Sequence, residues 1–202
     1  MSIIIRGIDQ GSPEWFDLRK GIPTASNFGK ILSPTGKPST QDKAYMHKLV
    51  AESVIGIQEG YTNDAMEKGI ETEPLARAEY ELDTGLTVEE VAIVYLDDKK
   101  EVSCSPDGLV GEDGGLEIKC PLPHTHVKYL VEKKLPTEYI PQVQGSLYVT
   151  GRKWWDFVSY CEGLPTLRIR VERDEDYIKL LASALVKFNS NLKVTKQILG
   201  GF

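Results

Sequence analysis

The stretch that most constrains this chain is short. Ser103-Cys-Ser-Pro-Asp107-Gly108 is followed by Glu117-Ile118-Lys119-Cys120-Pro121, with Asp107 and Glu117 ten residues apart. Between them, Gly111-Glu-Asp-Gly-Gly115 has the composition of a turn. The flanking runs, 101–110 and 115–120, therefore read as two adjacent strands that bring the carboxylates together. Two neighbouring carboxylates repel one another unless a cation joins them. Hard oxygen ligands favour magnesium or manganese over zinc. Lys119 follows Glu117 by two residues, so both side chains leave the strand on one face and Ile118 points to the other, toward a core. The Ile118 carbonyl still faces the carboxylates. A solvated strand would alternate more regularly than this apolar run, which carries two charges and is stopped by a proline.

The elements around this stretch predict an α/β fold, a sheet flanked by helices. Ser12-Pro13 reads as an N-cap with proline at the first helical position, opening a short helix to about Lys20. Thr24 to Asn27 reads as a second cap. Ser33 to Pro38 is a loop by its turn residues. Ser39 to Asp42 matches a capping pattern for a helix that places Tyr45, Leu49 and Val54 near one face and ends by Gly60. Another helix covers 64–82, disturbed at Pro74 and closed by Gly85. The texture then turns β-branched: 87–96, 101–110 and 115–120 read as strands. Segments 124–134 and 137–149 read as helices, 154–161 and 166–171 as strands. Asp174 starts a long final helix with Tyr177, Leu181, Leu185 and Phe188 on one face. The whole reads as one domain: a helical part over about 10–84, a sheet core over about 86–172, and a last helix over about 174–199.

Composition excludes several classes. No apolar run approaches the roughly 20 residues that span a bilayer, and the Met1–Arg6 start is too short and lacks the basic flank of a secretion signal. A cytoplasmic protein without membrane contact is the expectation. Cys104, Cys120 and Cys161 form no C-x-x-C, which argues for reduced thiols over a disulfide framework, a structural zinc or an iron–sulfur cluster. His124 and His126 read as loop or helix-surface residues rather than zinc ligands. Trp154 and Trp155 face opposite ways on a strand, so at least one belongs to the core. The net charge is −6, yet residues 1–50 carry +3, 51–100 carry −9, 101–150 carry −3 and 151–202 carry +3. The acid lies in the middle, where a metal site needs it, and the ends can supply a basic surface.

The segments SPDG and EIKCP, with Gln142-Val-Gln144 and Tyr148 beyond them, resemble the lambda exonuclease family and its YqaJ-type viral recombinases. So do Trp15-x-x-x-Arg19, Gly21-Ile-Pro-Thr24-Ala-Ser26 and Gly69-x-x-x-Glu73-Pro74. The resemblance spans about residues 10–185. It implies a PD-(D/E)XK, restriction-endonuclease-like fold, a central mixed sheet flanked by helices. It also implies a 5′-to-3′ double-stranded DNA exonuclease that uses magnesium, with manganese as substitute, and leaves 3′ tails.

Carried onto this sequence, the resemblance makes Asp107, Glu117 and the Ile118 carbonyl metal ligands and Lys119 the catalytic lysine. Glu73 lies beside the metal as a further ligand, directly or through water. One of Gln142 and Gln144 touches the site, and the pattern leaves open which. Ser105 supports the site from beside Asp107. Arg19 and Ser26, with Thr24, bind the terminal 5′-phosphate; a helix N-terminus bearing hydroxyls and a guanidinium fork independently suit an anion. The family further implies a homotrimeric ring and a single-strand annealing protein as partner. The alternatives are a non-catalytic DNA-end-binding module, or a RecB-like or CRISPR-associated nuclease of different end polarity.

Overall fold

The computed structural model describes residues 1–56 and 64–200. Strand β1 (Ile3–Ile5) leads into α1 (Pro13–Arg19), a 3-10 helix (Ala25–Lys30), α2 (Asp42–Ile55) and α3 (Asp64–Thr84). Five short strands follow: β2 (Val88–Glu89), β3 (Ile93–Tyr95), β4 (Ser103–Cys104), β5 (Gly108–Val110) and β6 (Gly114–Lys119). Then come α4 (Pro123–Glu132), α5 (Ile140–Thr150), β7 (Trp154–Ser159), β8 (Leu167–Glu172) and α6 (Glu175–Ile198). The principal sheet has the order β2-β5-β6-β7-β8, antiparallel except for the parallel β6–β7 pair; a smaller sheet has the order β1-β3-β4. This is the mixed sheet with flanking helices expected from the sequence.

Two departures matter for the site. Residues 87–96 and 101–110 are not single strands: each splits, giving β2 and β5 to the large sheet and β3 and β4 to the small one. The second break falls at Pro106, which has no N–H to donate to a ladder. Gln10 Nε2 bonds the carbonyls of Val91 (3.0 Å) and Pro106 (2.9 Å), one at each break, so neither is left unpaired. The split leaves Asp107 in the break, immediately before β5. The other departure is β1, three isoleucines too short to show a period, which pair with β3 from Ile3↔Tyr95 to Ile5↔Ile93.

Local chemistry explains most ends. Ser12 Oγ accepts from Trp15 N at 3.2 Å and Asp174 Oδ1 from Tyr177 N at 3.0 Å, capping α1 and α6 as expected. The cap expected at Ser39 does not form: Ser39 Oγ accepts from Gln41 N, and Gln41 occupies the N-cap of α2 without a side-chain bond. Helix α2 ends at Gly56, Val54 is exposed rather than on the buried face, and Gly60 lies outside the described residues. Helix α3 runs on through Pro74 to Thr84, with Gly85 at φ +67° beyond it.

The main core joins α2, α5 and α6 to the sheet through Tyr45, Leu49, Val143, Leu147, Trp155, Leu181, Leu185 and Phe188. Helix α5 packs directly on the 3-10 helix: a Cβ at Gly145 would meet the Phe28 ring at 2.4 Å. Gly114 and Gly115 belong to strand rather than turn, because a Cβ on either would strike the paired Trp154 or Trp155 ring at 2.1 or 2.2 Å. Trp155 is buried, while half-buried Trp154 is covered by the Arg170 guanidinium at 3.7 Å. Among the described residues no helix is long and apolar enough to cross a membrane.

Candidate active site

The β5–β6 register, Gly108↔Leu116, sets Asp107 opposite Glu117. Asp107 Oδ2 accepts from the Ile118 N–H at 2.6 Å, which fixes the half-buried carboxyl against β6. Alternation on β6 turns Glu117 and Lys119 to one face and Ile118 to the other, where it packs with Ala76, Tyr80, Val88 and Val158. Glu117 is 1% exposed; its Oε1 accepts from Lys119 Nζ and from Gln142 Nε2, the latter at 2.5 Å. The lysine ammonium also lies 5.6 Å from the Tyr139 ring centre.

Of the two glutamines, Gln142 therefore lies at the carboxylates. Gln144, two residues on and about 200° around the helix, is buried on another side of α5. Its Nε2 donates to the Glu172 carbonyl and its Oε1 accepts from Asp174 N, both at 2.9 Å. It ties α5 to the β8–α6 junction and does not approach Glu117.

Glu73 projects from α3 toward the same corner. It pairs with Arg77, one helical turn on, at 2.7 Å, and Arg77 reaches Glu90 at 2.6 Å. The Arg77 Nε is buried without a hydrogen-bond partner. Arg77 escaped the sequence reading, although its i,i+4 spacing from Glu73 was a usable signal. The buried Ser105 Oγ, in the break before Asp107, has no hydrogen-bond partner in the protein.

The electrostatics of this corner are dominated by the burial of its carboxylates. Burial, then Lys119 acting against it and Asp107 with it, leaves Glu117 pushed up to about 7. Burial and the Asp107 charge push Glu73 to about 7 as well, against Arg77. Burial raises Asp107 despite Lys119, the Ile118 N–H and Arg77. Burial opposes the Lys119 charge, but Glu117 and Asp107 outweigh it and hold the ammonium protonated. Glu73, Asp107 and Glu117 thus share Lys119 and Arg77, the latter also paired with Glu90, and burial above all makes the three harder to ionise. Asp107, Glu117 and the Ile118 carbonyl are hard oxygen donors, a set that suits magnesium or manganese. Among the described residues no three His, Cys, Asp or Glu side chains converge as a ready metal cage, because Glu73 is drawn to Arg77.

A second cleft, of about 210 Å³, opens among Trp15, Arg19, Thr24, Asn27, Lys48 and Glu52. Arg19 Nη2 donates to Thr24 Oγ1 at 3.2 Å and its guanidinium lies 4.0 Å over the Trp15 ring. Burial lowers the Arg19 pKa, and among the described residues no carboxylate lies within ion-pair distance of it. Thr24 Oγ1 and Ser26 Oγ are 3.1 Å apart, and Asn27 Nδ2 reaches both at 3.4 Å. The expected anion-binding helix is instead a six-residue 3-10 helix, and Thr24 at its N-cap makes no side-chain capping bond. So short an element carries little dipole, and Lys48 in the cleft is paired with Glu52 at 3.7 Å, which leaves Arg19 and the hydroxyls as the groups suited to an anion. Lys48, on α2, and Asn27 were not singled out by the sequence. The cleft is tied to the carboxylates through Thr24, which bridges to Ser103, with Ser103 N bonded to the Pro23 carbonyl at 3.1 Å.

Other residues singled out in the sequence have structural places. His126 is not on the surface: it is fully buried, its Nδ1 2.7 Å from Ser159 Oγ and its Nε2 3.0 Å from the Pro165 carbonyl. The carbonyl only accepts, so Nε2 carries the proton and Nδ1 accepts from the serine. The three cysteines are free thiols.

The YqaJ-like viral recombinase domain matches residues 14–153 of the chain. An alkaline exonuclease from Laribacter hongkongensis, LHK-Exo, is 36% identical with a TM-score of 0.85, covering 93% of this chain and 96% of that one. The same exonuclease in complex with dAMP gives 37% identity and a TM-score of 0.84 over the same shares. A phage-related exonuclease from Haemophilus somnus 129PT shares the fold at 17% identity, with a TM-score of 0.64 over 85% of this chain and 94% of that one. No curated protein sequence matches. The sheet with its flanking helices is the PD-(D/E)XK nuclease fold.

Proposed function

The chain belongs to the YqaJ-like viral recombinase family, and from that membership and the carboxylate corner we propose that it is a magnesium-dependent 5′-to-3′ exonuclease of double-stranded DNA. That it is a deoxyribonuclease of the exonuclease kind follows from its likeness to the alkaline exonuclease. One observation carries the finer reading: Asp107, Glu117 and Lys119 meet at one point, held there by Ile118 N and Gln142.

Asp107, Glu117 and the Ile118 carbonyl would hold magnesium, with manganese as substitute and Glu73 nearby as a further ligand. The ion, when bound, supplies an activated water and offsets phosphoryl charge. Lys119, kept protonated by the carboxylates, donates to a phosphoryl oxygen as charge builds on it. Gln142, on α5, fixes the Glu117 carboxyl. Ser105 stands beside Asp107 with its buried Oγ unused by the protein, available to a group bound at the site. Arg19, Thr24 and Ser26, in the second cleft, hold a terminal 5′-phosphate and so set the polarity; Arg19 offers the paired donors a phosphate dianion takes.

The charge distribution supports assembly into a ring. A protein of net −6 has little long-range attraction for DNA. Three copies that turn the basic N- and C-terminal portions inward hold a threaded duplex by topology. The 3′ tails left behind suit capture by a single-strand annealing protein. The test is digestion of a linear duplex labelled separately at its 5′ and 3′ ends, with sedimentation of the free protein. Early release of the 5′ label as mononucleotide by a trimer is expected. Early release of the 3′ label would reverse the polarity, DNA binding without any release would make the chain an end-binding module, and a monomer would remove the ring.

A further inference from the structure

Beside the carboxylate corner lies a third cleft, of about 140 Å³, that the mechanism above does not use. It sits past the C-terminal ends of the parallel pair β6 and β7, where ligands of α/β sheets commonly bind. One wall is the loop after β6, Cys120-Pro121-Leu122-Pro123, and the other is Tyr160-Cys161-Glu162 after β7. A bond from Tyr160 N to the Lys119 carbonyl, at 2.9 Å, fixes one loop against the other. Tyr160 and Cys120 both pack on the cluster of Ala76, Tyr80, Ile118 and Val158, which anchors the wall to the core. Leu122, by contrast, is 52% exposed at the rim, an apolar side chain placed in water at the edge of the site.

The cleft adjoins the chemistry: Cys120 in its wall packs on the Ile118 face of β6 yet feels the charges of Glu73, Asp107 and Lys119, and Thr72, which completes the lining, directly precedes Glu73. A group seated in it would lie near a phosphate held at those carboxylates. Its lining contains no lysine or arginine and includes the Glu162 carboxylate, so a phosphate is disfavoured there. Prolines, a leucine and a tyrosine ring suit a flat group with apolar faces and a polar edge, and a carboxylate suits an exocyclic amine or ring N–H. We propose that this cleft seats one nucleobase of the digested strand, next to the scissile phosphate, between Tyr160 and Leu122. The inference rests on the nuclease reading of the neighbouring carboxylates. Seating the base fixes the sugar–phosphate backbone over Lys119, which turns contact remote from the bond into rate at the bond.

The test uses the full chain with magnesium and 5′-phosphorylated duplexes carrying one abasic residue at the first, second or third position of the digested strand. With the native protein, the abasic residue at one position should slow release of the adjoining nucleotide about tenfold relative to the intact base. In Leu122→Ala/Tyr160→Ala that ratio should fall below about twofold, while Tyr160→Phe keeps it. If the double variant does not fold, Leu122→Ala alone, at an exposed rim position, should lower the ratio at least threefold. Equal rates on all duplexes by the native protein, or an unchanged ratio in the variants, overturns the base seat. Failure to cut even the intact duplex would instead overturn the nuclease reading.

Discussion

Gln142 and Gln144 occupy nearly adjacent positions in the sequence, and their replacement should have opposite consequences. Gln142 Nε2 donates at 2.5 Å to the buried Glu117 Oε1. A hydrogen bond to a charged group contributes about 1.5–3 kcal/mol, which corresponds to roughly 10- to 150-fold in an equilibrium or rate. Gln142→Leu removes the donor and leaves most of the volume, so Glu117 loses one of its two side-chain partners. The expected result is a fall in kcat or magnesium affinity of about 10–100-fold, the usual cost of losing a group that orients a metal ligand, in protein that remains folded despite a stability loss of at most about 3 kcal/mol. Gln144→Leu leaves the Glu172 carbonyl and the Asp174 N–H without side-chain partners. Two neutral bonds lost in a buried place correspond to about 2–4 kcal/mol of stability, with kcat unchanged in the protein that remains folded. Magnesium titrations of nucleotide release, paired with denaturant melts, read both effects. Activity of Gln142→Leu within about threefold of native, or selective loss of kcat in Gln144→Leu, would refute the reasoning.

Three further outcomes follow from the same geometry. Lys119→Ala should lower kcat by several orders of magnitude with modest loss of DNA affinity, because its charge acts mainly on the transition state; single-turnover rates within about threefold of native, barely 0.6 kcal/mol, would make it structural. Duplexes with a 5′-hydroxyl should be digested more slowly than 5′-phosphorylated ones, and Arg19→Ala should erase that difference more than it weakens first binding; equal native rates on both ends would remove the phosphate pocket. Glu73 and Glu117, raised to about 7, hold their protons below that pH, whereas an ordinary glutamate ionises near 4.5. The metal-free fold therefore binds more protons than the unfolded chain between these values and loses stability as pH rises from about 4.5 through about 7. Magnesium must displace those protons, so its affinity should climb by up to about tenfold per unit for each proton displaced over that window and level off above it; calorimetry showing no pH dependence between 5.5 and 8 would contradict the assignment.

The features legible in the sequence were those fixed by near neighbours in the chain. Asp107 and Glu117 are brought together by one turn, and the strand period alone puts Lys119 beside Glu117 and Ile118 in the core. The caps at Ser12 and Asp174 were equally local. Features set by the rotation of a helix or by long-range pairing were not legible. Which glutamine faces the carboxylates depends on how α5 is turned by its contact with the 3-10 helix, where Gly145 meets Phe28. The splitting of 87–96 and 101–110 between two sheets depends on Gln10, some 80 to 96 residues away, accepting the task of pairing both breaks. His126 looked like a surface residue because its partners, Ser159 and Pro165, arrive from the far side of the next helix and strand.

The central claim is that Asp107 and Glu117 form one divalent-cation site that drives DNA hydrolysis. It is tested most directly by measuring nucleotide release from a 5′-phosphorylated linear duplex by the native protein, Asp107→Ala and Glu117→Ala, each in magnesium and in EDTA. The account predicts release only by the native protein in magnesium, with both variants folded, since each loses a charge that repels its neighbours in the metal-free state. Full activity in EDTA, or in either variant, would contradict it.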